Sequence, residues 1–213
     1  LKRRTVLTQA GTRLLPRATA ILAELYDIKR SVGQDTEAGR GLLSVGFIPT
    51  IAPFVLPGVI RHFSHAFPHA RLDVHEKLTE EIVRDLIDGR LDVGITSMPI
   101  HNRLIRTQEL LTEPLLVASS RTHELIQRAA IDVQELDDFP FIALSEVHCL
   151  GDQVQSFCYQ QRLDLQIVCH TAQLSTLHNC IAMGLGVSFV PRAQSLSDQT
   201  GQVVYRSLSD VIP

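Results

Sequence analysis

The stretch Leu43-Ser44-Val45-Gly46-Phe47-Ile48 decides the fold class of this chain, because it is an apolar run of strand length that ends at Pro49-Thr50. The pattern that follows predicts, in order, a helix over 53–67, a strand over 70–76, a helix over 79–91 and a strand over 92–96. Strands and helices that alternate in this way are typical of a parallel sheet with helices on both faces. The sequence therefore predicts an α/β fold.

A second unit of the same character begins near Glu113. Strands are expected over 113–118, 139–144, 165–169 and 187–190, with a helix after His148 and another over 175–183. Two such lobes joined by crossing strands leave a cleft where strand ends meet helix N-termini, which is a common place for a ligand. We assign lobe I to residues 41–112, completed by about 205–213, and lobe II to residues 113–204.

A long helix is predicted before these lobes, from Thr8 to Val32. Its apolar residues recur at alternating spacings of four and three, a heptad seam formed by Leu14, Ala18, Ile21, Leu25, Ile28 and Val32. The seam favours pairing with a second chain, although short heptad runs also occur as core faces. The glycine-bearing segment Gly33 to Gly41 predicts a linker, so residues 8–40 form a linker helix and hinge.

Two cysteines, Cys149 and Cys158, lie nine residues apart around another predicted helix. Asp152 is a suitable N-cap and Gln155 a suitable capping-box partner, which places Cys149 just before the helix and Cys158 inside it. Nine helical residues span about 13 Å, whereas a disulfide needs Cα atoms about 4.4–6.8 Å apart. The two thiols can pair only if the segment refolds, which favours a redox switch over a structural staple. The alternative is that both thiols are buried structural residues.

The composition excludes several classes of protein. The net charge is −3, the hydrophobic content 45% and the mean hydropathy +0.10, which is ordinary for a folded soluble domain. No apolar run approaches the roughly 20 residues of a membrane span, and no CxxC, GxSxG, HExxH or Walker motif occurs. We expect a cytoplasmic protein that is not an enzyme and has no cofactor, no metal and no membrane partner.

Cys169 and Cys180, set among apolar residues, are expected in the core.

Several of these landmarks together resemble the LysR-type transcriptional regulators. Residues 4–11 (RTVLTQAG) resemble the end of the family's winged helix-turn-helix leading into the linker helix, and residues 46–50 (GFIPT) resemble the first effector-domain strand and its ligand loop. Residues 184–187 (GLGV), followed by Pro191, resemble the signature of the second lobe. The resemblance implies a two-lobe fold like that of periplasmic binding proteins. Residues 1–7 would be the remnant of a DNA-binding domain whose recognition helix is expected upstream.

Within that family, the cysteine segment resembles the OxyR-like branch, which senses hydrogen peroxide. The resemblance implies that Cys149 is the peroxide-reacting cysteine, with His148 beside it, and that Cys158 is the resolving cysteine. Thr50, Thr79 and Asp152 also match, and the two threonines would line the peroxide pocket. One position departs, because Gly151 stands where the branch usually has an arginine, whose guanidinium would stabilise a thiolate. This departure puts the reactivity of the thiol in question.

Three functions remain open from the sequence. The first is the regulatory domain of a peroxide-sensing transcription factor that binds DNA, pairs with itself as a dimer or tetramer, and contacts RNA polymerase. The second is a LysR-type effector domain that binds a small metabolite in its cleft without redox sensing, a view that Gly151 favours. The third is a solute-binding protein of a transporter, against which the linker helix and the basic residues Lys2, Arg3 and Arg4 argue.

Overall fold

The computed structural model describes residues 6–32 and 40–209. Most of the expected DNA-binding remnant at 1–7, most of the linker at 33–41 and residues 210–213 lie outside this description. The chain divides into two compact units, one of residues 1–48 and 56–107, the other of residues 49–55 and 108–213. Among the helices described, none combines the length and the apolar character needed to cross a membrane.

Helix α1 runs from Gln9 to Val32 and confirms the predicted long helix. It begins one residue later than expected because Thr8 acts as its N-cap. The Thr8 hydroxyl oxygen accepts a hydrogen bond from the backbone N–H of Gly11 at 3.1 Å, which satisfies one of the donors that a helix start leaves without an intrahelical partner.

The apolar seam of α1 is exposed. Leu14, Ile21 and Leu25 are 65%, 58% and 55% accessible to solvent, whereas side chains of this kind are usually covered in a folded protein. The two last seam positions, Ile28 and Val32, lie outside the described side chains. Leucine and isoleucine side chains exposed at heptad spacing are typical of the interface side of a coiled-coil helix.

The first unit is built on three parallel strands, as the sequence predicts. They stand in the order β2 (His69–Glu76), β1 (Arg40–Phe47) and β3 (Val93–Ile95), and the crossovers contain helices α2 (Ala52–Ala66) and α3 (Thr79–Ile87). Val45 in the central strand pairs with Val74 on one side and Val93 on the other. Ile82 of α3 is fully buried, so α3 contributes its apolar face to the core of this unit.

The second unit contains six strands and three helices among its described residues. In chain order they are β4 (Leu115–Ser120), β5 (Ala130–Ile131), β6 (Pro140–Leu144), α4 (Cys149–Gln160), β7 (Gln166–Thr171), α5 (Leu174–Ala182), β8 (Ser188–Pro191), α6 (Arg192–Ser197) and β9 (Val203–Leu208). The predicted strands and helices of this unit are confirmed to within a few residues. Helix α6, the short strand β5 and two 3-10 turns at Glu124–Gln127 and Val133–Asp138 are additional.

The sheet of the second unit corrects the expectation of purely parallel strands. Its order is β5-β9-β4-β8, and β4 runs antiparallel to both β8 and β9. Residues 205–208, expected in the first lobe, extend β9 in this sheet, where Val203 and Leu208 are buried. Strands β6 and β7 form a separate parallel pair.

Two hydrophobic clusters lie on opposite faces of β6. Phe141 belongs to one cluster, with Cys158 of α4 and Phe189 of β8. Ile142, the next residue, belongs to the other, with the helix α5. Successive side chains of a strand point to opposite faces, so α4 and α5 are held on the two sides of the same strand.

Candidate functional site

Helix α4 carries both cysteines of the predicted redox pair. It begins at Cys149 with His148 as N-cap, not at Asp152 as the sequence predicts. The backbone N–H of Asp152 already donates to the His148 carbonyl oxygen at 3.2 Å, so the first helical turn closes before the expected cap. The Gln155 amide donates to Glu146 at 2.7 Å instead of closing a capping box.

Cys149 occupies the first position of α4 and is partly buried. The first-turn N–H groups of a helix have no intrahelical partner and favour negative charge close to them. His148, beside it, is 8% exposed, and its backbone N–H donates to the Ser145 carbonyl oxygen at 3.1 Å. Ser145 in turn donates to the Thr171 carbonyl oxygen at 2.8 Å, which ties this loop to the end of β7. The thiol therefore sits on a well-anchored helix start.

Gly151 lies so close to the end of β6 that no side chain fits there. A Cβ at this position would meet the Ser145 carbonyl oxygen at 2.4 Å and the Leu144 carbonyl oxygen at 2.7 Å. Both are backbone atoms, so a larger residue requires the helix itself to move. The close packing of α4 on the chain after β6 accounts for glycine at this position. Glycine at position 151 therefore has a packing reason that holds for either of the two LysR-type functions.

Cys158 lies at the other end of α4 in the hydrophobic core. It is 8% exposed and packs in the cluster of Phe141 and Phe189. Burial raises the pKa of the Cys158 thiol to about 11, and the carboxylate of Asp137 adds to the increase. At neutral pH this thiol is protonated and shielded from solvent, whereas Cys149 is partly exposed.

The helix keeps the two sulfur atoms apart. All nine steps between Cys149 and Cys158 are helical, which corresponds to a rise of about 13 Å along the axis. A disulfide requires Cα atoms within about 7 Å. Neither cysteine is part of a disulfide in this structure, and the intact helix prevents the two from pairing directly.

The other predicted site residues occupy different parts of the chain. His148, Cys149 and Asp152 are brought together in the first turn of α4. Thr50 is 5% exposed, lies just before α2 and belongs to the second unit, whereas Thr79 belongs to the first unit. Thr79 is the first residue of α3 and not its cap, since Leu78 is the N-cap residue. The peroxide pocket that would join these threonines to Cys149 remains a prediction.

A cavity of about 310 Å³ lies in the first unit and was not expected from the sequence. Its walls are formed by Ser44, Asp73, His75, Lys77, Asp85, Gly89, Arg90 and Leu91. Asp85 pairs with Lys77 and with Arg90, whose Nε donates to Asp85 at 2.8 Å. Burial alone would raise the pKa of Asp85, but the hydrogen bonds from Lys77 and Arg90 hold it below its ordinary value. Both cations of the cavity are thus already paired.

No group of histidine, cysteine or acidic side chains within the described ranges is arranged to hold a metal ion. The feature of the second unit that bears on chemistry is the helix with a partly exposed cysteine at its start and a buried cysteine in its last turns. Two α/β units preceded by a long helix form the architecture that the sequence predicts for a LysR-type regulatory domain.

Residues 36–213 match the family model described as LysR substrate binding domain. The chain therefore belongs to the LysR family of transcriptional regulators, which is a family of regulators and not of enzymes. The predicted family and the predicted fold class are both confirmed.

Individual relatives point to one branch of the family. The hydrogen peroxide-inducible genes activator of Dickeya chrysanthemi is 32% identical over 189 residues, which cover 89% of this chain and 62% of the relative. A full-length OxyR variant from Pseudomonas aeruginosa superposes with a TM-score of 0.79 at 28% identity, covering all of this chain and 70% of that one. An OxyR mutant from Corynebacterium glutamicum with bound hydrogen peroxide gives a TM-score of 0.74 at 26% identity, covering 99% and 69%. The predicted resemblance to the OxyR-like branch is confirmed.

Proposed function

We propose that this chain is the regulatory region of a transcription factor that senses hydrogen peroxide by joining Cys149 to Cys158. The observation that carries the proposal is helix α4, which holds a partly exposed cysteine at its N-terminus and a buried one nine residues later. The names of its relatives support the same signal. The chain spans 62% of the length of the Dickeya relative, so the activity of the whole protein is part of the proposal.

The first step is the oxidation of Cys149. Its thiolate attacks one oxygen of the peroxide, the S–O bond forms as the O–O bond breaks, and hydroxide leaves and takes up a proton to become water. Positioned hydrogen-bond donors assist the departure of the leaving oxygen. We assign this work to His148, Thr50 and Thr79, with Asp152 in the same turn of the helix as the cysteine.

The second step joins the two sulfur atoms. The sulfur of Cys158 attacks the sulfenic sulfur of Cys149, the S–S bond forms, the S–O bond breaks and a second water leaves. Because a disulfide cannot span nine helical residues, α4 has to unwind before this step. Cys158 then leaves the cluster that contains Phe189, and the neighbouring contact of Phe157 with Phe189, with ring centroids 5.5 Å apart, is lost as well.

The loss of these contacts gives the redox change a structural consequence. A segment that is ordered in one state and rearranged in the other is an established type of molecular switch. Cys158 and its aromatic neighbours are the part of the core that must repack. We propose that this repacking changes how two copies of the regulatory region contact each other.

The exposed seam of α1 offers a route by which this change reaches DNA. Leu14, Ile21 and Leu25 are suited to pair with the same helix of a second chain. A dimer or tetramer formed in this way would hold two DNA-binding domains at a spacing that depends on the regulatory lobes. DNA, a second copy of this chain and RNA polymerase are thus the proposed partners, and the cytoplasm the proposed location.

The test separates the reactive from the resolving cysteine. With hydrogen peroxide and a 1,3-diketone that traps sulfenic acids, the Cys158→Ser variant is expected to accumulate the trapped adduct on Cys149. The Cys149→Ser variant, used as the matched control, is expected to give no adduct at Cys158 at the same dose. Absence of an adduct from both variants would contradict the proposal and leave metabolite binding as the function of the domain.

A further inference from the structure

A second pair of cysteines, Cys169 and Cys180, lies outside helix α4. Cys169 is on strand β7, where it stands opposite Ile142 of β6. Side chains of directly paired strand residues point to the same face of a sheet. Ile142 faces the cluster formed with Leu177 and Ile181 of helix α5, so Cys169 points toward α5.

Cys180 packs against the same cluster from helix α5. It follows Leu177 by one helical turn and directly precedes Ile181, which places it at the edge of the buried face of α5. Both cysteines pack against the cluster of Ile142. Each of them is partly buried and free, so neither is sealed in the core as Cys158 is.

The two thiols approach the same point from the strand and from the helix, since both pack against the cluster of Ile142. Burial raises the pKa of the Cys180 thiol, and the neighbouring Cys169 thiol raises it further. Neither β7 nor α5 has to change its secondary structure for two thiols placed in this way to come together. The arrangement is the opposite of that in α4, where an intact helix separates the sulfur atoms.

We propose that Cys169 and Cys180 form a second oxidisable dithiol, a modification site that closes into a disulfide between β7 and α5 without refolding of either element. The oxidant is a hydroperoxide. Cys169 attacks one peroxide oxygen, the O–O bond breaks and water or an alcohol leaves, which gives a sulfenic acid. The sulfur of Cys180 then attacks that of Cys169, the S–S bond forms, the S–O bond breaks and the released hydroxide takes the thiol proton to leave as water.

The bridge would have a different effect from the one in α4. It links a strand to the helix that packs on it, within a loop of about ten residues, and so restricts the unfolded chain more than the folded one. We expect the melting temperature to rise by roughly 5 °C on closure, with the helix content unchanged. Formation of the Cys149–Cys158 bridge, in contrast, is expected to lower the helix content, because α4 has to unwind.

The two pairs can be read separately in one digest. No lysine or arginine lies between Arg162 and Arg192, so Cys169 and Cys180 fall in the single tryptic peptide 163–192. Cys149 and Cys158 fall together in the peptide 129–162, because the preceding cleavage site is Arg128. Wild-type protein is treated with increasing concentrations of hydrogen peroxide, and the remaining thiols are alkylated. The masses of the tryptic peptides are then measured by mass spectrometry.

The expected result is that peptide 163–192 loses two hydrogen atoms and both alkylation sites, and recovers them after reduction. The Cys149→Ser/Cys158→Ser double variant should behave alike, since this site does not depend on α4. The Cys180→Ser variant should not show the loss of two hydrogen atoms and should retain a thiol or an oxygen adduct at Cys169.

If both thiols remain alkylatable at doses that fully oxidise free dithiothreitol, or if Cys169 and Cys180 link different copies of the chain, the inference is wrong. Failure at peptide 129–162 alone would count only against the proposed function.

Discussion

The Cα of Gly151 lies against the backbone carbonyl of Ser145, so closely that a Cβ would come within 2.4 Å of its oxygen. This contact joins the first turn of α4 to the chain that leaves β6. Because Cys149 belongs to the same turn, the contact also fixes where the Cys149 thiol lies. Gly151 is therefore a positioning residue for this thiol.

The Gly151→Ala variant is expected to lose about 1–3 kcal/mol of unfolding free energy, since overpacking against backbone atoms forces the helix to shift. Gly58→Ala is the matched control, because Gly58 also lies within a helix but nothing lies within 4 Å of its added Cβ. That change should stabilise the protein by up to about 1 kcal/mol. Urea unfolding of both variants checks the prediction, and an equal response of the two would argue against a close contact at Gly151.

The buried thiol of Cys158 makes stability depend on alkaline pH. Its pKa is raised to about 11 in the folded protein, against an ordinary value of 9.0. A raised pKa contributes stability that is complete below pH 9 and is lost as the pH rises through 11. The loss should amount to at most about 3 kcal/mol.

Unfolding free energies of the wild type and the Cys158→Ala variant at pH 8 and pH 11 test this prediction. Burial and the hydrogen bond to Asp198 also raise the pKa of Tyr205. Its ionisation therefore also lowers the stability of the protein at alkaline pH. The difference between the two proteins isolates Cys158, because Tyr205 is present in both. Parallel pH curves for the two proteins would show that Cys158 is not held in a protonated, buried state.

The paired carboxylate of Asp85 predicts a loss of stability in acid. Its pKa lies below the ordinary 3.8, because the hydrogen bonds from Lys77 and Arg90 outweigh the burial that would raise it. A lowered pKa contributes stability that is present above about pH 4 and is lost as the pH falls through the folded value. Asp85→Asn is expected to cost about 1–3 kcal/mol at pH 7 and to reduce the acid dependence. The control is Asp88→Asn, since Asp88 is more exposed than Asp85.

The seam of α1 predicts how the chain self-associates. Ile21→Asp places a charge in the proposed interface and should weaken the proposed dimer by at least tenfold in sedimentation equilibrium, because a buried charge without a partner is costly. Thr19→Asp is the control, since at 100° per residue it lies on the opposite side of the helix. If both variants associate as the wild type does, the chains pair through another surface.

The local pattern was sufficient to predict most of the elements. Val45, Phe47 and their neighbours form an apolar run of strand length bounded by Pro49, and such runs are recognisable without tertiary information. Strand direction is not encoded in this way. The antiparallel placement of β9 beside β4 depends on where the chain returns after α6, which no periodicity reveals.

The details of the site depended on tertiary contacts. Asp152 is a good local N-cap, but the packing of Gly151 on Ser145 brings the chain into helical conformation from Cys149 onward. The spacing of Cys149 and Cys158 was sufficient to predict that they cannot pair directly. The contact of Cys169 with Cys180 was missed, because the two residues belong to a strand and a helix whose packing is set by the whole unit.

Hydrogen peroxide is proposed to join Cys149 to Cys158, and the mass of the tryptic peptide 129–162 reports whether this bond forms. Reduced protein receives a short pulse of dilute hydrogen peroxide, and the remaining thiols are then alkylated. We expect this peptide to lose two hydrogen atoms within the pulse, to take up no alkylating agent and to regain both thiols with dithiothreitol. If Cys149 and Cys158 are both still alkylated at doses that oxidise an established peroxide sensor, the proposed disulfide switch is wrong.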